Sequence, residues 1–314
     1  MVRHLHELGI LVSIREILLK LTSAGSGGGA LKETQIMVPM DKGGRIALYR
    51  LDQPDSKGCP LIITHGTISN ADTVRGLGCY LAESGFDCWL LEWGGHGAAC
   101  ASGRHQDFEY PAFNDLPTAL GWVLDATGKD RVYWVSHSGG GHLPLMHLAR
   151  YPELQEKFAG IVAMGAQATD AAQGLKYKAR ALALRWVTSL LGRTPKQMVS
   201  VGTEGEPTRL LAQWSDWNLS RRWTGKDGFD YMAALGAVTI PVFMLAGSRD
   251  DIAPVSGCQK FYDSLGSRDK SFVTCSVSHG FRKDYTHGQL IRGRAARAEI
   301  YPRITAWLEE RNRE

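Results

Sequence analysis

Two rhythms of apolar residues divide this chain. Short continuous apolar runs, LIITHG (61–66), FDCWLLEW (86–93), VYWVSH (132–137), FAGIVAMG (158–165), PVFMLAG (241–247) and SFVTCSV (271–277), read as buried strands. Segments of helical period fall between and after them: about Ala71 to Glu83, about Asn114 to Asp125, from near Gly139, about Val255 to Leu265, and about Gln289 to Glu310. Continuous apolar strands alternating with helices predict a parallel sheet covered on both faces and built from right-handed crossovers. Before this series, TQIMVPM and RIALYRL are strand-like and joined by DKGG, whose glycines suit a hairpin turn.

The rhythm fails in two places. Between Ala166 and about Leu235 it stops, KYKARALALRWVTSLLG (176–192) is helical, and Trp186, Trp214, Trp217 and Trp223 place four of nine tryptophans in this one insert. The pattern predicts a helical cap at 166–235 on a core made of 31–165 and 236–314. At the other failure, residues 1–23, Leu5, Leu8, Leu11, Ile14, Leu18 and Leu21 spread over a wide arc opposite Ser13, Glu16 and Lys20. That predicts an N-terminal amphipathic helix, followed within 1–30 by the glycine-rich linker AGSGGGA. Its apolar run is too short for a secretory signal or a bilayer span. The helix is expected to dock on its own domain or self-associate, with peripheral membrane contact as the alternative.

Composition narrows the function classes. With 314 residues, 44% apolar and 22% charged, the chain can bury a sizeable core. The net charge of +4 is dispersed and forms no basic arm, which argues against a nucleic-acid partner. The six cysteines are scattered without a CxxC pair, so they read as reduced thiols in a cytoplasmic setting rather than zinc ligands. No P-loop follows a strand, and neither a cofactor nor a metal is expected.

The candidate chemistry centres on VYWVSHSGGGHL (132–143), where a strand meets a helix with almost nothing between. A serine on so tight a turn stands above the sheet only if the residues two before and two after it are small. Ser138 has Ser136 and Gly140 in those places, whereas Ser136 would have Trp134, so the register selects Ser138. A serine nucleophile needs a base oriented by a carboxylate. Asp250, after the strand PVFMLAG, is the expected acid, with Asp251 as the neighbouring alternative. His287, before the last helix, is the favoured base over His279. Backbone N–H groups of Gly139 and Thr67 are the expected oxyanion donors, and His65 would buttress the loop that carries Thr67.

In this order, HGT at 65, WGGHG at 93, SHSGG at 136, GSRDDIAP at 247 and DYTHG at 284 resemble the α/β-hydrolase fold superfamily from about Lys32 onward. The resemblance implies a mostly parallel eight-stranded sheet, a helical cap after the sixth strand, and serine hydrolase chemistry at Ser138, Asp250 and His287. The ending DYTHGQLIRGRAARAEIYPRITAWL is more similar to acid-lipase-type lipases and polyhydroxyalkanoate synthases than to peptidases. Those families often carry Asp two residues after the histidine, where this chain has Gln289. The expected function is hydrolysis of a carboxylic ester with a medium to long apolar acyl chain. Acyl transfer to a non-water acceptor and non-catalytic binding are the alternatives.

Overall fold

The computed structural model describes residues 15–18, 31–41, 43–52, 56, 58–99, 107–171, 173–190, 193–194 and 206–312. One nine-stranded sheet organises them in the order β1-β2-β3-β5-β4-β6-β7-β10-β11. The strands are β1 (Arg15–Leu18), β2 (Lys32–Pro39), β3 (Arg45–Asp52), β4 (Leu61–Thr64), β5 (Cys88–Glu92), β6 (Val132–His137), β7 (Phe158–Met164), β10 (Val242–Gly247) and β11 (Lys270–Cys275). From β5 to β11 every pairing is parallel, and β1, β2 and β3 are joined antiparallel to that block. β8 (Arg193–Thr194) and β9 (Glu206–Pro207) form a separate short ladder.

Strands β4, β5, β6, β7 and β10 are buried along their whole length, as expected for a parallel sheet with helices on both faces. Their side chains alternate between two cores. Ile62, Trp89 and Trp134 point into one core, beneath α2 (Leu116–Thr127), α3 (His142–Arg150) and α7 (Val255–Ser264). Leu61, Ile63, Leu90 and Val135 point into the other, beneath α1 (Ala71–Glu83) and α8 (Tyr301–Arg311). Between β7 and β10 lie α4 (Leu175–Leu190), α5 (Thr208–Ser220) and the single turn α6 (Tyr231–Ala234). The eight strands β2 to β7, β10 and β11 form the eight-stranded sheet implied by the resemblance, with α4 and α5 following its sixth strand.

Two expectations change. The N-terminal helix and its linker lie largely outside the described residues, but Arg15–Leu18, predicted helical, are an edge strand antiparallel to β2. The open edge of β2 offers unpaired backbone groups, and such pairing outweighs a local helical period. The final helix does not start at Gln289: Gly293 has φ +97°, and regular α-helix begins at Tyr301. A π-turn at Ala296–Ile300 precedes it, just ahead of Pro302, as another at Pro111–Asp115 stands ahead of Pro117. A proline clashes with the carbonyl four residues back, and the wider turn relieves that clash.

Candidate active site

Adjacent parallel strands bring their C-terminal ends to one edge, with Thr64 opposite Ser136 and Ser136 opposite Ala163. Two loops leaving that edge carry backbone strain. Ser138 has φ +54° and Ile68 φ +57°, in the left-handed region that side-chain-bearing residues avoid at a cost of roughly 1–2 kcal/mol. Glycines make the approach possible. A methyl on Gly66 would lie 2.6 Å from Ser138 Cβ, and one on Gly139 would lie 2.8 Å from Thr67 Cγ2 and 3.1 Å from Thr67 N. The Gly139 and Thr67 backbones therefore stand side by side next to the serine. A methyl on Gly140 would run into the His65 carbonyl, so Gly140 clears β4 rather than Ser136. Gly141 is the glycine that faces Ser136, whose Oγ donates to the Val162 carbonyl at 3.0 Å.

Ser138 Oγ lies 2.8 Å from His287 Nε2, and His287 Nδ1 lies 2.7 Å from Asp250 Oδ2. The other Asp250 oxygen accepts from the N–H groups of Ile252, at 2.9 Å, and Ala253, at 2.7 Å. An ionised carboxylate only accepts, so Nδ1 carries the imidazole proton and the lone pair of Nε2 faces the serine hydroxyl. Gly165, at φ +61°, lies beneath the pair; a methyl there would be 3.2 Å from His287 Nδ1 and 3.3 Å from Asp250 Oδ2.

The histidine loop is held by its own short motif. Thr286 and Gln289 form a capping box around His287, the Thr286 N–H donating to Gln289 Oε1 at 3.2 Å. Gln289, the departure from the lipase pattern, therefore orients the loop that carries His287. The pattern T-x-x-Q is a legible capping signal that the sequence reading passed over. Residue 285 ties three loops together: its N–H donates to Cys275 O, and its carbonyl accepts from Arg249 N at 2.9 Å.

His137, also missed, donates from Nε2 to the His287 carbonyl at 3.1 Å, with the two rings 4.6 Å apart. Burial, reinforced by the neighbouring His287, pushes its pKa well below the usual histidine range. It therefore stays neutral beside His287. His65 is likewise kept neutral by burial; it donates to Gly66 O at 2.7 Å and stacks on Trp93 at 5.1 Å, which anchors the 65–67 loop. The alternatives go elsewhere: His279 is exposed and bonded to Ser276, and Asp251 faces Arg180 of α4 at 3.6 Å.

A cavity open to solvent surrounds Ser138. Its walls include Thr67, Phe108 and Ile252 from the core and Ala181, Leu184, Leu211 and Trp214 from α4 and α5. His142 completes one wall: its Nε2 donates to Gln167 O at 2.9 Å, and Phe108, Trp217, Trp223 and Phe261 ring it. Burial lowers its pKa to about 4.

The alpha/beta hydrolase fold family matches residues 60–204. Human lipase member K is 29% identical over 138 residues, 36% of this chain and 33% of that protein. Human lysosomal acid lipase/cholesteryl ester hydrolase is 27% identical over 146 residues, 40% of this chain and 36% of that protein. This chain thus spans about a third of the length of the curated relatives it matches. Among solved structures, the Paleococcus ferrophilus monoacylglycerol lipase superposes with a TM-score of 0.58 at 20% identity, covering 84% of this chain and 99% of its own. That likeness is one of fold.

Proposed function

We propose that this chain, which belongs to the α/β-hydrolase fold superfamily, hydrolyses carboxylic esters through Ser138, His287 and Asp250, with 166–235 serving as a cap over the acyl site. The observation that carries this reading is the unbroken contact chain of 2.8 Å from serine to imidazole and 2.7 Å from imidazole to carboxylate. Ser138 Oγ attacks the ester carbonyl while its proton passes to His287 Nε2, and Asp250 stabilises the imidazolium. The Thr67 and Gly139 N–H groups donate to the oxyanion, an effect worth about 3 kcal/mol per donor elsewhere. The imidazolium then protonates the leaving alkoxide. Water, deprotonated by His287, cleaves the acyl-enzyme and restores the serine. The apolar walls supplied by Phe108, Leu184, Leu211 and Trp214 support a medium to long acyl chain.

p-Nitrophenyl esters from acetate to palmitate, assayed on wild type and Ser138→Ala, test the reading. Turnover that peaks at intermediate or long chains and falls about 10⁴-fold or more in the variant is expected. Absence of turnover on every ester would overturn it, and products of added acceptor alcohols outrunning hydrolysis would reassign it to acyl transfer.

A further inference from the structure

Gln167, just beyond the end of β7, is 1% exposed, and both polar atoms of its side chain are engaged. Its Oε1 accepts from the Asp170 N–H at 2.8 Å, and its Nε2 donates to the Ile252 carbonyl at 2.9 Å and to Asn218 Oδ1 at 3.2 Å. A backbone N–H only donates and a carbonyl only accepts, so these partners fix which end of the carboxamide faces which. Asn218, on α5, is fixed in the same way: its Oδ1 takes the Ala171 N–H at 2.8 Å, and its Nδ2 donates to the Trp214 carbonyl at 2.8 Å. Helix α7 packs on Gln167 so closely that a methyl on Gly257 would lie 2.8 Å from its Oε1 and 2.9 Å from its Cβ.

One of these bonds reaches the carboxylate beside His287. The Ile252 carbonyl belongs to the same peptide plane as the Ala253 N–H, which donates to Asp250 Oδ1 at 2.7 Å. A trans peptide is rigid and points its oxygen and its hydrogen in opposite directions. Gln167 therefore grips the far end of a plate whose near end grips Asp250, and Asp250 Oδ2 in turn meets His287 Nδ1 at 2.7 Å. A hydrogen bond to the carbonyl also polarises the peptide and strengthens donation from its N–H.

We propose that Gln167 is a positioning residue for Asp250, acting through the Ile252–Ala253 peptide. Its effect on turnover rests on the hydrolase reading above, whereas its hold on Asp250 does not. The competing account makes Gln167 a fastener of α5 to the core and nothing more. The two accounts part at Asn218, because losing that side chain cuts the tie to α5 and leaves the Ile252 bond in place.

The full chain is assayed on a short soluble p-nitrophenyl ester, and the His287 Nδ1–H proton is followed by its downfield resonance in proton NMR. Gln167→Met, of similar length but without groups to grip the peptide, should lower kcat about 10- to 100-fold with KM within about threefold of wild type, and should shift that resonance. Asn218→Ala should lower Tm by a few degrees while kcat stays within about threefold of wild type and the resonance holds its place. Should Gln167→Met misfold, Gly257→Ala removes no hydrogen-bonding group, suits the interior of α7 and presses on Gln167 from outside; it should shift the same resonance and lower kcat several-fold. A folded Gln167→Met whose resonance is unmoved, or a loss of kcat in Asn218→Ala equal to that in Gln167→Met, would overturn the proposal. A wild type that turns over no ester, but whose resonance moves on Gln167→Met, would sink the hydrolase reading and uphold the hold on Asp250.

Discussion

Asp250 and Asp251 are neighbours in sequence whose side chains face different parts of the molecule. Asp250 is buried at the end of β10, with both oxygens committed, one to His287 and the other to two backbone N–H groups. Asp251 points outward and, among the described residues, pairs with Arg180 of α4, with both side chains more than half exposed. Asp250 is thus fixed by three hydrogen bonds, while α4 is met at Asp251 by one solvated ion pair. On the proposed reading, chemistry that needs reacting atoms held to fractions of an ångström sits on the first, and a surface that must admit and release a substrate sits on the second.

The largest expected effect separates the two aspartates by a single atom each. Asp250→Asn keeps the shape of the acid but loses the fixed imidazole tautomer, and kcat on a short soluble ester should fall about 10⁴-fold. Asp251→Asn removes an exposed ion pair worth roughly 0–1 kcal/mol, so its kcat should stay within about threefold of wild type, with any change confined to KM. Comparable losses in both variants would mean that the two positions are not mechanically distinct.

A middle-sized effect is expected in the cavity wall. His142 belongs to α3, yet its ring is enclosed by Trp217 of α5 and Trp223 just after it on one side and by Phe108 and Phe261 on the other. Its folded pKa, lowered by burial to about 4, lies below the ordinary value of 6.5. The unfolded chain therefore takes up a proton first as pH falls. The stabilisation is complete above about pH 6.5 and is lost progressively down to about pH 4, by at most about 3 kcal/mol. His65 and His137, similarly lowered, add in the same direction. Buried Asp115, raised to about 6, opposes them because its proton is bound first in the folded state. The difference between wild type and His142→Phe isolates one ring. The variant should lose about 1 kcal/mol at neutral pH with the Gln167 hydrogen bond and show a shallower decline in urea-derived stability from pH 6.5 to 4. Parallel curves would remove His142 from the account.

These effects differ in how far the sequence foretells them. The parallel sheet and its helical layers follow from strand and helix periods, because burial on both faces leaves a continuous apolar record. Ser138 stands out over Ser136 because Trp134 cannot enter the turn. Less visible were contacts that depend on folding across the chain: His137 reaches a carbonyl 150 residues away, and Gly165 gives room to His287 and Asp250. The helix predicted across residues 15–18 yields to an edge strand because a neighbouring strand's unpaired backbone is not a local property.

Gln289 offers the smallest and sharpest test of how the core is held. Its carboxamide closes the capping box with Thr286, so Gln289→Ala frees the Thr286 N–H while leaving every proposed reacting group in place. A lost cap costs about 1 kcal/mol. If that cost stays in the ground state, Tm falls by a few degrees and kcat is unchanged. If the box holds His287 at its 2.8 Å distance from Ser138, kcat falls about tenfold with KM unaltered, because misplacement is felt only when the proton moves. Gln289→Glu retains the accepting oxygen at that position, and recovery of kcat in that variant would tie the loss to orientation of the base rather than to general weakening of the loop.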